Sequence, residues 1–209
     1  MLVTCENVKN VLQENNIKLK GIFHVGAHKC EELEDYESLG VPRENIVWVE
    51  GIREYVLKAK KKGIPNVYQA VISDEDEKIV NFNITNNVQS SSILEFGTHK
   101  DQHKLVKVTK KMSKVSTTVD TFFASNNLDP SQYNMWCFDI QGAELMALKG
   151  SLKSLVHADL LYLEVNEKEL YIGCALIGEL DEFLDANGFK RVETSMTKFG
   201  WGDAVYIRK

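Results

Sequence analysis

Residues 21–36 read GIFHVGAHKCEELEDY: a short apolar run, one glycine turn at Gly26, and a charged segment with the composition of a helix start. That is the strand, loop and helix that open a βαβ unit. Such a loop can hold a nucleotide. A dinucleotide loop, however, needs three glycines so that the backbone can turn tightly and approach a pyrophosphate, and here only Gly26 is present.

Downstream of this unit, short apolar runs alternate with helical patterns, which predicts an α/β fold with a mostly parallel sheet. NIVWVE (45–50) is a second strand, followed by a helix, REYVLKAKKKG (53–63), with a basic last turn and a glycine stop. NVYQAVIS (66–73) is a third strand. Between 74 and 118 the pattern loosens into a probable-insertion segment: KIVNFNI (78–84) alternates like an edge strand and TNNVQSSSILEFG (85–97) reads as a loop. KVSTTV (114–119) resumes as a strand, DTFFASNNL (120–128) as a short helix with Asp120 as its N-cap, and DPSQYN (129–134) as a turn. MWCFDI (135–140) and DLLYLEV (159–165) are strongly apolar strands with a helix starting between them at 143–149. ALIGELDEFLDANG (175–188) is a helix, and FKRVETS (189–195) and DAVYIRK (203–209) form an antiparallel pair around a Gly-containing loop. Upstream, Val8, Val11 and Leu12 mark an amphipathic helix, so the expected organisation is a helical segment over 1–20 and a single domain over 21–209.

In open parallel sheets ligands bind beyond the carboxyl ends of the strands. The residues there are Gly26, Ala27 and His28, then Glu50, then 139–142, then 164–166, a polar and mostly acidic rim on an apolar sheet. A carboxylate at the end of the second strand, roughly 20 residues past the glycine loop, can accept hydrogen bonds from both hydroxyls of a ribose. The pyrophosphate glycines are missing. S-adenosylmethionine has a ribose and an adenine but no phosphate, and acidic loops suit its sulfonium and ammonium charges, so one glycine turn is enough for it.

The segment FDIQGAELMALKG (138–150) resembles the D-[IV]-[EQ]-G-x-E-x-x-x-L-x-G motif of the FkbM-like family of class I S-adenosylmethionine-dependent methyltransferases. HVGAHKCEE (24–32), WVEGIREYV (48–56), NVYQAVISDED (66–76), SSSIL (90–94), VSTTVDTFF (115–123) and LYLEVN (161–166) resemble other stretches of that family, from about residue 21 to the end of the chain. The resemblance implies a Rossmann-like, seven-stranded, mostly parallel sheet with an antiparallel last strand and helices on both faces. The cofactor contacts it implies are His24, Gly26, Ala27, His28, Glu31, Glu50, Gly51, Ala70, Val71, Asp139 and Ile140. It also implies transfer of a methyl group to a hydroxyl of a small acceptor, a sugar or sugar-containing molecule. Two positions depart from the pattern: His24 stands where an acidic residue is usual, and Cys30 where the family tends to have a second glycine. These departures leave open a scaffold that has lost catalysis and serves as a binding or assembly subunit.

Methyl transfer to oxygen requires alignment of donor and acceptor, exclusion of water and removal of a hydroxyl proton. Asp139, at the mouth of the central apolar strand, is the best placed carboxylate for that task, with Glu164 and His28 as further catalytic candidates. Ser91, Ser92, Gln141, Glu144 and Asn166 are the expected acceptor contacts. Asp139, Glu164 and Asn166 form an oxygen-rich set that suits either a magnesium ion or direct hydrogen bonds to a polyhydroxyl acceptor, leaving the metal unassigned. In HKDQHKLVKVTKKMSK (99–114) the lysines from 104 to 114 fall on one face of a helix. They form a solvated face or, as the alternative, receive an anionic acceptor.

The net charge of −5 argues against a nucleic-acid partner. Four scattered cysteines without a CxxC pair read as reduced thiols, and no apolar run approaches the ~18 residues of a membrane helix. No signal-peptide pattern opens the chain, so a cytoplasmic location away from the membrane is expected. Nothing in the sequence assigns an oligomeric state.

Overall fold

The computed structural model describes residues 1–209, the side chain of Gln102 excepted. In chain order the elements begin with α1 (Cys5–Glu14), β1 (Ile22–Val25), α2 (Leu33–Ser38), β2 (Ile46–Glu50), α3 (Arg53–Lys61), β3 (Val67–Gln69) and β4 (Val71–Ile72). They continue with β5 (Ile79–Thr85), α4 (His99–Gln102), β6 (Val108–Thr117), α5 (Val119–Ser125), β7 (Met135–Phe138), α6 (Glu144–Lys149), β8 (Leu160–Asn166), α7 (Ile177–Ala186), β9 (Phe189–Met196) and β10 (Trp201–Arg208).

The main sheet has seven strands in the order β3-β2-β1-β7-β8-β10-β9. β1 is parallel to β2 and β7, and β7 to β8, whereas β10 runs antiparallel to both β8 and β9. This is the α/β Rossmann-like sheet expected above, its last strand reversed. The strand order changes direction between β1 and β7, the point at which such sheets bind ligands.

Both faces of the sheet are buried, which is why its strands read as unbroken apolar runs rather than alternating ones. Phe23, Val49, Trp136, Phe138 and Leu163 face a core completed by Phe122 and Phe123 of α5, Leu148 of α6 and Leu180 and Leu184 of α7. Their neighbours Ile22, Ile46, Trp48, Met135, Cys137 and Tyr162 face the opposite core, closed by Val8, Val11 and Leu12 of α1, Tyr36 of α2 and Val56 and Ala59 of α3. The first helix therefore shares the core of the sheet.

Three local expectations are corrected. The run 66–73 is not one strand: β3 joins the main sheet through β2, while β4 pairs with β6 in a separate three-stranded sheet, β4-β6-β5. Lys110, Lys111 and Lys114 lie on β6, so alternation, not helical spacing, arranges them; β-branched neighbours such as Val108, Thr109 and Val115 favour the extended chain. Asp120 is inside α5, whose N-cap is Thr118, with its hydroxyl accepting from the Thr121 N–H. The Asp120 carboxylate instead accepts from the N–H groups of Lys153 and Ser154.

Candidate active site

The turn after β1 is set by contact with the end of β7. Gly26 has φ +95°, and a Cβ there would lie 1.9 Å from the Asp139 carbonyl oxygen. The N–H groups of Gly26 and Ala27 both donate to the Val49 carbonyl, at 2.9 and 3.0 Å, which folds the loop toward the end of β2. The single glycine is thus demanded by the close approach of two strand ends. Cys30, at φ +56°, adopts a left-handed conformation that glycine would take without strain.

A cleft opens beyond these strand ends. Gly26, Ala27, His28, Glu31, Glu50, Gly51, Ala70, Val71, Asp139 and Ile140 all line it, and so do Ser91 and Gln141. Glu50 is only 7% exposed. One of its carboxylate oxygens accepts from the Ile52 N–H at 2.6 Å and the other from the His28 N–H at 2.7 Å. Burial pushes its pKa up to about 7, against the pull of those backbone donors. Phe82, Val88 and Ile93 supply an apolar wall that the loosely patterned segment did not reveal.

A second cavity lies on the α1, α2 and α3 side of the sheet, lined by His24, Cys137, Tyr162, Glu164, Tyr171, Trp201 and Asp203 among others. Asp139 and Gln141 border both spaces, as do Glu32 and Gln89. Gln141, at φ +57°, is the connecting group. Its side-chain amide donates to Asp139 Oδ1 at 2.7 Å and to a Glu164 oxygen, and its Oε1 accepts from the Tyr171 hydroxyl at 2.6 Å. Glu164 is pushed well above the carboxylate range, first by burial and then by the nearby charges of Asp139 and Glu144.

Several expected site residues stand elsewhere. His24 does not line the cleft: strand alternation turns it to the other face from Val25, where it borders the second cavity and its Nδ1 meets the Tyr36 hydroxyl at 2.9 Å. His28 does line the cleft, its ring engaged by Glu31, 3.0 Å from Nδ1, and by the Tyr55 ring at 4.5 Å. Ser92 donates to the Gln141 carbonyl at 2.8 Å and accepts from the Leu94 N–H at 3.0 Å, and it lines neither space. Glu144 turns back to accept from the N–H groups of Ile140 and Gly142, clamping the loop.

Asn166 is 1% exposed, lies opposite Trp201 in the sheet and lines neither cavity. Asp139, Glu164 and Asn166 therefore do not converge as one oxygen set. Among the described residues no group of three or more acidic, histidine or cysteine side chains is arranged to hold a metal ion. No helix among the described residues is long and apolar enough to cross a membrane.

The buried carboxylates give the fold a pH signature. Glu144 is raised to about 8 and Glu50 to about 7, above the ordinary 4.5. Their contribution to stability is therefore fully present below that ordinary value and is lost as pH rises through 7 and 8. Burial depresses His24 and His99, which act in the opposite sense, but only below the ordinary histidine value of 6.5. Glu164, also pushed well above the carboxylate range, acts in the same sense as the two glutamates, so between pH 6.5 and 8 the melting temperature of the free protein should fall. Glu144→Gln keeps an oxygen for the two loop N–H groups and cannot ionise, so it should make that fall shallower in a calorimetric scan. An unchanged pH slope would place the ionisation elsewhere.

The sequence model described as "Methyltransferase FkbM domain" matches residues 24–191. No curated protein compared with the chain is a recognisable sequence relative. Similar solved structures include magnesium protoporphyrin IX methyltransferase from Synechocystis with bound S-adenosylmethionine, at 12% identity and TM-score 0.49, covering 98% of this chain and 78% of that one. A protein of the NADB-Rossmann superfamily from Streptococcus agalactiae has 15% identity and TM-score 0.49, covering 94% and 67%. A SAM dependent methyltransferase from Aquifex aeolicus has 14% identity and TM-score 0.44, covering 96% and 89%. With the family match extending over most of the chain and the glycine turn, the Glu50 carboxylate and the motif at Asp139 meeting in one cleft, this protein belongs to the FkbM family of S-adenosylmethionine-dependent methyltransferases.

Proposed function

We propose that the protein methylates a hydroxyl of a small, neutral, hydroxyl-rich acceptor, a sugar or sugar-containing molecule, and that the two cavities divide the work. The cleft holds S-adenosylmethionine, its ribose on Glu50, and the second cavity holds the acceptor. The observation that carries this reading is the shared wall: Asp139 and Gln141 border both spaces, so a group on one side can reach an atom on the other.

The cofactor supplies a methyl group on a sulfonium. The residues of this chain align that methyl with the acceptor oxygen, exclude water and take the proton. As the oxygen–methyl bond forms and the sulfur–methyl bond breaks, the hydroxyl proton passes to Asp139. Gln141 holds the Asp139 carboxylate in place through its 2.7 Å hydrogen bond, and the raised Glu164 stays protonated.

The second cavity also bears on the acceptor's charge. Glu32, Asp139, Glu164 and Asp203 line it, and no lysine or arginine does so among the described residues. An anionic acceptor would meet mostly acidic groups, with no lysine or arginine to offset them. A polyol instead finds oxygen acceptors for its hydroxyls and the faces of Tyr171 and Trp201 for its C–H surface.

Calorimetric titration tests the cofactor half of the proposal. Micromolar binding of S-adenosylmethionine and S-adenosylhomocysteine, with none of NAD, is the expected result. Binding of NAD, or of none of the three, would overturn it.

A further inference from the structure

The second cavity contains a histidine that the reaction described above does not use. His99 is 5% exposed and lines that space. Its ring lies parallel to Phe96, with centroids 4.3 Å apart and planes 9° from each other, and tilted against Tyr171 at 5.4 Å. Nδ1 is enclosed by protein and has no hydrogen-bond partner, so Nε2 is the ring nitrogen left to meet a ligand.

Orphaned buried N–H groups are rarer than orphaned lone pairs. The proton of the neutral ring therefore belongs on Nε2, an assignment that follows from the surroundings. Burial, with His103 beside it, lowers the pKa of His99 to about 4, so the ring is neutral at physiological pH. In a wall rich in carboxylates, a fixed N–H donor complements them.

The backbone holds this donor in place. The N–H groups of Gly97, Thr98 and His99 donate to the carbonyls of Leu170, Glu169 and Leu170 at 2.7, 2.9 and 3.2 Å. A Cβ on Gly97 would come within 2.4 Å of the Glu169 carbonyl oxygen, so a side chain there would force the two strands of chain apart. Phe96 forms an isolated bridge to Tyr171, the residue whose hydroxyl binds Gln141. The turn that carries His99 is thereby fixed to the loop that reaches the Asp139 wall.

We propose that His99 is a specificity-determining residue of the acceptor site, donating Nε2–H to an ether, carbonyl or hydroxyl oxygen of the acceptor while Phe96 and Tyr171 hold its ring. This inference rests on the reading of the second cavity as the acceptor site.

The test uses the full chain saturated with S-adenosylhomocysteine and titrated with neutral monosaccharides (glucose, galactose, mannose and xylose) as probes. Nitrogen-15 spectra of the imidazoles report the contact. The free protein should show His99 as the Nε2–H tautomer, and a bound monosaccharide should shift its Nε2 resonance while leaving the exposed His157 unmoved. His99→Phe keeps the aromatic stack and removes both nitrogens; it should lose about tenfold in probe affinity with S-adenosylhomocysteine affinity unchanged. His99→Gln, which returns an N–H donor near the same place, should recover part of the loss. If S-adenosylhomocysteine binds but no probe perturbs His99, or if His99→Phe binds the probes as wild type does, His99 has no such role. Failure to bind S-adenosylhomocysteine would instead strike the cofactor reading on which the inference stands.

Discussion

Glu50→Ala should weaken S-adenosylhomocysteine binding by roughly 100-fold, the loss of two hydrogen bonds from ribose hydroxyls to a buried carboxylate at ~1.5 kcal/mol each. The free protein already directs those bonds. Each Glu50 oxygen takes one backbone N–H, from Ile52 and from His28, which fixes the plane of the carboxylate and leaves a second lone pair on each oxygen for the ligand. Because burial raises Glu50 to about 7, part of the free protein is protonated at neutral pH and must release that proton to accept both hydroxyls. Affinity should therefore rise with pH up to about 7 and level off above it, with protons released to the buffer on binding near neutrality. Glu50→Gln should bind about tenfold more weakly above pH 7 and lose the pH dependence. Calorimetry in buffers of different ionisation enthalpy measures both effects. Wild-type affinity in Glu50→Ala, with an unchanged melting temperature, would remove Glu50 from the ribose site.

The cleft beyond β1 and β2 was legible in the sequence because its parts are local. Gly26 and Glu50 each end a strand, and the strands β1 and β2 are neighbours, so spacing along the chain converts directly into proximity. The sheet was legible for a related reason: β1, β2, β7 and β8 are buried on both faces, and unbroken apolar runs such as IVWV and MWCF follow from that. His24 was misplaced because strand alternation, which decides the face a residue sees, is hidden when both faces are apolar. The second cavity resisted for a different reason. His99, Tyr171 and Trp201 come from the segment before β6, the loop after β8 and the start of β10, and only long-range packing gathers them. Gln141 looked like an acceptor contact, and nothing in its neighbourhood announced that its amide would tie Asp139 to Glu164. The lysine run misled because 110 and 114 are four residues apart, a spacing shared by one helical face and one strand face.

Asp139 on the shared wall and Glu164 in the second cavity should respond to substitution unequally. Asp139→Ala should lower turnover by roughly 10³-fold, the usual scale for removing a general base, while S-adenosylhomocysteine affinity changes only a few-fold because Glu50 and the glycine turn remain. Glu164→Gln should be far milder. Burial and the charges of Asp139 and Glu144 already favour its neutral form, and a glutamine reproduces the shape and polarity of a protonated glutamate. Its carbonyl can accept the Gln141 amide hydrogen bond that Glu164 accepts now, and its own amide can donate toward Asp139. Single-turnover methyl transfer separates chemistry from binding. A collapse of the chemical step in Glu164→Gln with near-normal rates in Asp139→Ala would exchange their roles and make Glu164 the group that takes the proton. Equal loss in both would mean that Asp139, Gln141 and Glu164 act as one hydrogen-bonded unit, which Gln141→Leu would then match, since it cuts both links without touching either carboxylate.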